Sequence, residues 1–158
     1  MDNAKKQEFT ARITNANRSA LVVILYDMIL EYMKDAENAL DSNDSTNFAE
    51  ELEKARECVK ELVSALDMQY ELSGELARLY LYVNRTITRS IVKKEKGELD
   101  SARNVITGLR ESFAAVAKQD NSPVIMNNAQ EIYAGLTYGK NSLNENLANE
   151  GADRGFFV

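Results

Sequence analysis

Histidine does not occur in this chain of 158 residues. Its absence excludes Ser-His-Asp and Cys-His arrangements, in which an imidazole carries the proton. It also excludes the Glu-x-x-His pairs that hold carboxylate di-metal centres in helical bundles. Two carboxylates, Asp27 and Glu31, fall four apart on one helical face and could in principle share a proton; a solvated or capped face is the ordinary alternative for such a pair. The single cysteine, Cys58, excludes an internal disulfide and has Glu57 and Glu61 close in sequence. Those charges oppose thiolate formation, so a buried structural thiol is expected there.

Two stretches imitate ligand-binding loops and fail in their details. Gly135 to Ser142, reading GLTYGKNS, places three residues between its glycines where a phosphate-binding loop needs four, and Asn141 stands where Ser or Thr should follow the lysine. The stretch from Asp41 through Asn43 and Ser45 alternates like a calcium loop, but Thr46 replaces the glycine and Leu52 takes the place of the bidentate glutamate. No catalytic residue, metal site or cofactor is therefore expected, and an enzyme is disfavoured. The tyrosines behave differently. Tyr26, Tyr32, Tyr70, Tyr80 and Tyr82 lie on or beside helical stripes, where a large apolar ring with a wet-tolerant hydroxyl suits a partner groove as well as a core.

The elements that must position these residues are helices. Residues 20 to 33, ALVVILYDMILEYM, are apolar except at Asp27 and Glu31, too short a run for a bilayer span of roughly 20 apolar residues. Asn17 can cap a helix running to about Leu40. One stripe on it passes through Leu21, Leu25, Met28 and Tyr32, and another through Val22, Tyr26, Ile29, Met33 and Ala36. Two stripes imply two packing neighbours, and the stripe around Val22, Tyr26 and Ile29 is the candidate for lining or supporting a partner groove. Asp44 can cap a second helix with apolar positions Phe48, Leu52, Ala55, Val59, Leu62 and Leu66, ending near Asp67. Ser73 opens a third, through Leu76, Leu79 or Tyr80, Val83, Ile87 and Ile91, closed by KKEKG at 93 to 97; a fourth repeats Leu99, Ala102, Val105 or Ile106, Leu109, Phe113 and Val116 and fades at Lys118.

Long helices joined by short loops predict an all-α, antiparallel up-down four-helix bundle over residues 17–119. Residues 1–16 are expected either to add one turn packed on the body or to stay loose. Residues 120–158 form a C-terminal extension with a short helix before Gly135 and an apolar tip, Phe156 to Val158, on a polar leash. Ile132, Tyr133 and that tip are expected to cover bundle surface in the free protein. Arg78, Arg85, Arg89, Lys93 and Lys96 gather toward the end of the third helix, opposite Asp44, Glu50, Glu51 and Glu53. Surface pairing explains this pattern more simply than a docking patch does.

A formal net charge of −6 gives no attraction to a phosphate backbone, so nucleic acid is not an expected partner. With 44% apolar and 28% charged residues the chain has the balance of a folded protein. One cysteine and a polar start, MDNAKKQEFT, fit the cytoplasm, with no membrane insertion.

Three stretches together resemble the flagellar export chaperones called FliS: LYDMILEYMKDA at 25 to 36, LVSALDMQYELSGELARLYLYVNRTI at 62 to 87, and LRESF at 109 to 113. The resemblance runs from Phe9 to Lys118. It implies an antiparallel four-helix bundle in the cytoplasm that binds the C-terminal segment of flagellin, prevents its premature polymerisation and delivers it to the flagellar type III export gate. An adaptor or regulator of the same fold with a different client is the alternative. By position, Leu25, Tyr26 and Asp27 match the family's first signature, and Leu79, Tyr80, Tyr82, Asn84 and Arg85 its second. Phe9 stands near a leading aromatic of the family, whose leading segment, here residues 1–16, is expected to pack on or near the partner groove. Phe9, Val22, Tyr26, Asp27, Ile29, Leu79, Tyr80, Tyr82 and Arg85 are thus the expected partner-binding residues, on a monomer or weak homo-oligomer. Met28, Asn17-Arg18 and Phe113 depart from the family pattern, the last standing in place of a tryptophan.

Overall fold

The computed structural model describes residues 1–125. Over these the chain is all-α: α1 (Asn3–Thr14), α2 (Arg18–Asp41), α3 (Ser45–Ser64), α4 (Glu71–Lys93) and α5 (Leu99–Ala117). The short helix expected before Gly135, and Ile132, Tyr133 and Phe156 to Val158, lie outside the described residues.

Helices α2 to α5 form the expected bundle. Each packs on two neighbours in the cyclic order α2, α3, α4, α5. Direction is fixed by the side chains that meet: Asp27 of α2 pairs with Arg110 of α5, while Glu37, further along α2, pairs with the earlier Arg103. Those two helices therefore run antiparallel. The core takes Tyr26, Ile29, Met33 and Ala36 from α2, Phe48, Leu52, Val59 and Leu62 from α3, Leu76, Tyr80, Val83 and Ile87 from α4, and Leu99, Ala102 and Ile106 from α5. They follow the predicted stripes: Tyr80 and not Leu79, and Ile106 more deeply than Val105, fill the positions the spacing leaves open, while Val116 at the end of the fourth stripe is exposed. Burying each large side chain contributes about 1.5–3 kcal/mol against leaving it in water.

Both predicted caps form. The Asn17 side chain accepts from the Ala20 N–H at 2.9 Å, and that of Asp44 from the Asn47 N–H at 3.0 Å. Helix boundaries shift elsewhere. The second predicted helix stops at Ser64, not Asp67, and the third begins at Glu71, two residues before Ser73. The cause is a local turn in which the Asp67 carboxylate accepts from the Gln69 N–H at 3.0 Å, competing with the helix for backbone donors. Ser73 is buried in the first turn of α4 and is not its cap. At the far end of α4, Lys94 adopts the left-handed conformation with φ 56° and closes the helix within KKEKG.

The largest departure is α1. Where one turn or a loose segment is expected, a helix of 12 residues forms, capped by the Asp2 carboxylate on the Lys5 N–H at 2.8 Å. It lies on α2, with Phe9 buried against Ala16 and Ile24 and with Leu21 and Met28 beside them. The excess apolar surface of α2 is thus covered from outside by α1. Beyond α5 the chain returns to the α1–α2 turn. There the Asp120 carbonyl accepts from Asn17 Nδ2 at 2.9 Å, Ser19 donates its hydroxyl to the Asp120 carboxylate, and the Ile125 N–H bonds the Ala16 carbonyl at 3.0 Å.

Candidate partner-binding groove

The antiparallel pair α3 and α4 does not close completely. Ala77 and Ser64 are small where the helices face one another, and a cleft of about 580 Å³ opens between them. Val59, Val63, Ala77, Tyr80 and Leu81 supply its apolar surface, and Lys60, Ser64 and Asn84 its polar rim. Val63 and Leu81 stand 46% and 47% exposed on opposite banks. Apolar side chains left half in water on both sides of a trough are unsatisfied packing surface, suited to an amphipathic segment.

The floor is rigid. Tyr80 is 1% exposed, and behind it, across the core, its hydroxyl shares a hydrogen bond with that of Tyr26, which has no exposed surface. Burial, reinforced by this contact, pushes the Tyr26 phenol well above its ordinary range; burial also raises that of Tyr80. Both stay neutral. Tyr26 packs in turn on Phe113 of α5 with ring centroids 5.7 Å apart and planes tilted by 57°. Three aromatic rings thus connect α4, α2 and α5 beneath the groove. At its rim Asn84 accepts from Arg56 Nε at 2.9 Å, and Arg56 is itself held by Glu53 at 2.8 Å.

No acid–base pair forms on α2. Asp27 is taken by Arg12 of α1 and Arg110 of α5, and Glu31 by Lys5 at 3.3 Å. Burial alone would raise the Asp27 carboxyl, but hydrogen bonds from Arg110 and Arg12 outweigh it and hold the group below the ordinary carboxylate range. A fixed anion serves as a structural junction and not as a proton carrier. Cys58 is buried, and burial, with Glu61 and Glu57 adding to it, pushes the thiol up to about 11; it is the inert structural thiol expected.

Of the nine expected partner-binding residues the groove contains Tyr80 alone. Tyr26 and Ile29 have no surface and reach a partner only through the wall they support, and Val22 is half-buried against the core. Phe9 is covered on α2, and Asp27 is held in its ion pairs. Leu79 and Tyr82 are exposed on α4 outside the groove, Leu79 two residues and about 200° from Leu81 around the helix and Tyr82 one residue and about 100° from it. Arg85 is exposed on α4. Sequence reasoning missed Val63 and Leu81. Both are apolar residues out of phase with the stripe of their own helix, and that mismatch is the signal that finds them.

A sequence model of the family described as flagellar protein FliS matches residues 1–120. The chain belongs to the FliS family. It is also similar to the flagellar secretion chaperone FliS of Bacillus subtilis strain 168, 26% identical over 101 residues that cover 64% of this chain and 76% of the relative. FliS membership places the chain among flagellar export chaperones, and the match ends where the chain leaves its clasp on Asn17 and Ser19. Among the described residues no helix is long and apolar enough to cross a membrane.

Proposed function

We propose that the protein is a cytoplasmic flagellar export chaperone that binds the C-terminal segment of flagellin, holds it from polymerising, and presents it to the export gate. The observation that carries this reading is the α3–α4 groove, with Val63 and Leu81 half-exposed above a floor of Tyr80. A disordered segment with apolar residues at helical spacing folds as it fills such a trough, hiding the surface it would use to polymerise. The ordering entropy keeps the complex releasable, as export requires. No bond is made or broken; the work is differential burial.

The test is calorimetric titration of the full chain with a peptide from a flagellin C-terminus, followed by far-UV circular dichroism of the mixture. Binding with gained helicity is expected, and Val63→Asp or Leu81→Asp should weaken it about tenfold or more, since each removes apolar contact worth on the order of 1.5 kcal/mol. Both sites are exposed enough for the variants to fold. Absence of binding at micromolar concentration would overturn the flagellin assignment. Binding of a different secreted segment in its place would move the reading to the adaptor alternative.

A further inference from the structure

The groove has a candidate occupant within this chain. Past Ile125 the sequence continues for residues 126–158, beyond the region matched by the family. It leaves from the end of the bundle where α2 begins, since Ile125 and Asp120 are bonded to Ala16, Asn17 and Ser19. In an up-down bundle α3 ends and α4 begins at that same end, and the groove residues Val63, Ser64 and Ala77 lie there. Ile132 is seven residues beyond Ile125, a reach of about 23 Å at ~3.3 Å per residue, against a spacing of about 10 Å between packed helices.

The chemistry matches. Ile132, Tyr133 and Leu136 put three large apolar residues within five positions, to set against Val63 and Leu81. Residues 126–158 carry Glu131, Glu145, Glu150 and Asp153 against Lys140 and Arg154, a net negative balance. On the outer side of α4, Arg78 and Arg85 enter no ion pair among the described residues. An acidic segment with apolar residues is thus complementary to an apolar trough whose helix α4 also exposes Arg78 and Arg85.

We propose that the segment around Ile132, Tyr133 and Leu136 occupies the α3–α4 groove of its own chain when no client is bound, and that a client must displace it. The second clause rests on the client reading above; the first does not. Intramolecular docking has a high effective concentration, so weak contacts suffice to cover the groove and still yield to a longer client.

The test uses the full chain with Ser64→Cys carrying a nitroxide at the groove, and Lys34→Cys, on an exposed site of α2, as the control; buried Cys58 does not react. The expected result is paramagnetic broadening of the amide signals of residues 130–137 from the label at position 64 but not at 34, unchanged on tenfold dilution. Unbroadened signals would overturn the proposal. Broadening lost on dilution would also overturn it, by assigning the groove to a second copy. In a separate titration, the full chain bearing Ile132→Ser and Tyr133→Ser should bind the flagellin peptide severalfold tighter; equal affinity removes the competition. If neither chain binds the peptide, the client reading and the competition fall together, while the relaxation experiment, which contains no client, still decides the docking.

Discussion

At the scale of single residues, the buried hydroxyl pair of Tyr26 and Tyr80 sets a sharp expectation. Neither oxygen has water to turn to, since the two residues are 0% and 1% exposed. Tyr26→Phe strands the Tyr80 hydroxyl and should cost about 1–3 kcal/mol, whereas removing both hydroxyls should restore much of that loss. Urea unfolding of the two single variants and the double variant measures the coupling; a double variant as unstable as the sum of the singles would show there is none. Asp27 gives a pH-dependent counterpart. Its carboxyl lies lower in the folded chain than its ordinary 3.8, so its contribution is present above about pH 4 and is lost as the pH falls through the folded value. Asp27→Asn should therefore destabilise at pH 7 by about 1–2 kcal/mol, a range discounted for the exposure of Arg110. The gap to the parent chain should close as the pH drops below about 4, and denaturant titrations at pH 7 and pH 3 compare the two.

At the scale of elements, α1 departs furthest from its sequence pattern, and the reason is physical. Helices α2 to α5 were legible because their apolar residues recur at three and four and their caps are spelled out by Asn17 and Asp44. Helix α1 has few apolar positions to show, chiefly Phe9 and Ile13; what holds it is Phe9 in a socket on α2 together with Lys5 on Glu31 and Arg12 on Asp27. Cross-element ion pairs leave no period in one segment. Phe9→Ala should accordingly release α1 without dissolving the bundle. Amides of residues 6–14 should lose about 100-fold of hydrogen-exchange protection while the core of α2 to α5 keeps its own. Uniform loss across all helices would show that α1 and the bundle are one cooperative unit. The end of α3 and the start of α4 depart from the periodicity for a related reason, because the Asp67 side chain captures a backbone donor that periodicity cannot anticipate.

At the scale of the whole molecule, the bundle was legible and the groove was not. Stripes tell which residues face inward; a groove depends on which outward residues of two helices come opposite one another, as Val63 and Leu81 do across Ala77. Two of the tyrosines singled out lie beneath that trough, Tyr80 as floor and Tyr26 as its support. One feature bears on how the molecule responds to tension. Asp120 and Ile125 are fastened to Ala16, Asn17 and Ser19, more than a hundred residues earlier in the chain. A pull on the C-terminal segment is therefore borne first by the turn between α1 and α2, and only after that clasp gives way can α5 be peeled from its neighbours. In an optical trap with one handle on α3 and the other beyond residue 125, Ser19→Ala combined with Asp120→Ala should lower the force of the first rupture and leave the later ones in place. The clasp is a mechanical fuse set between the tail and the body.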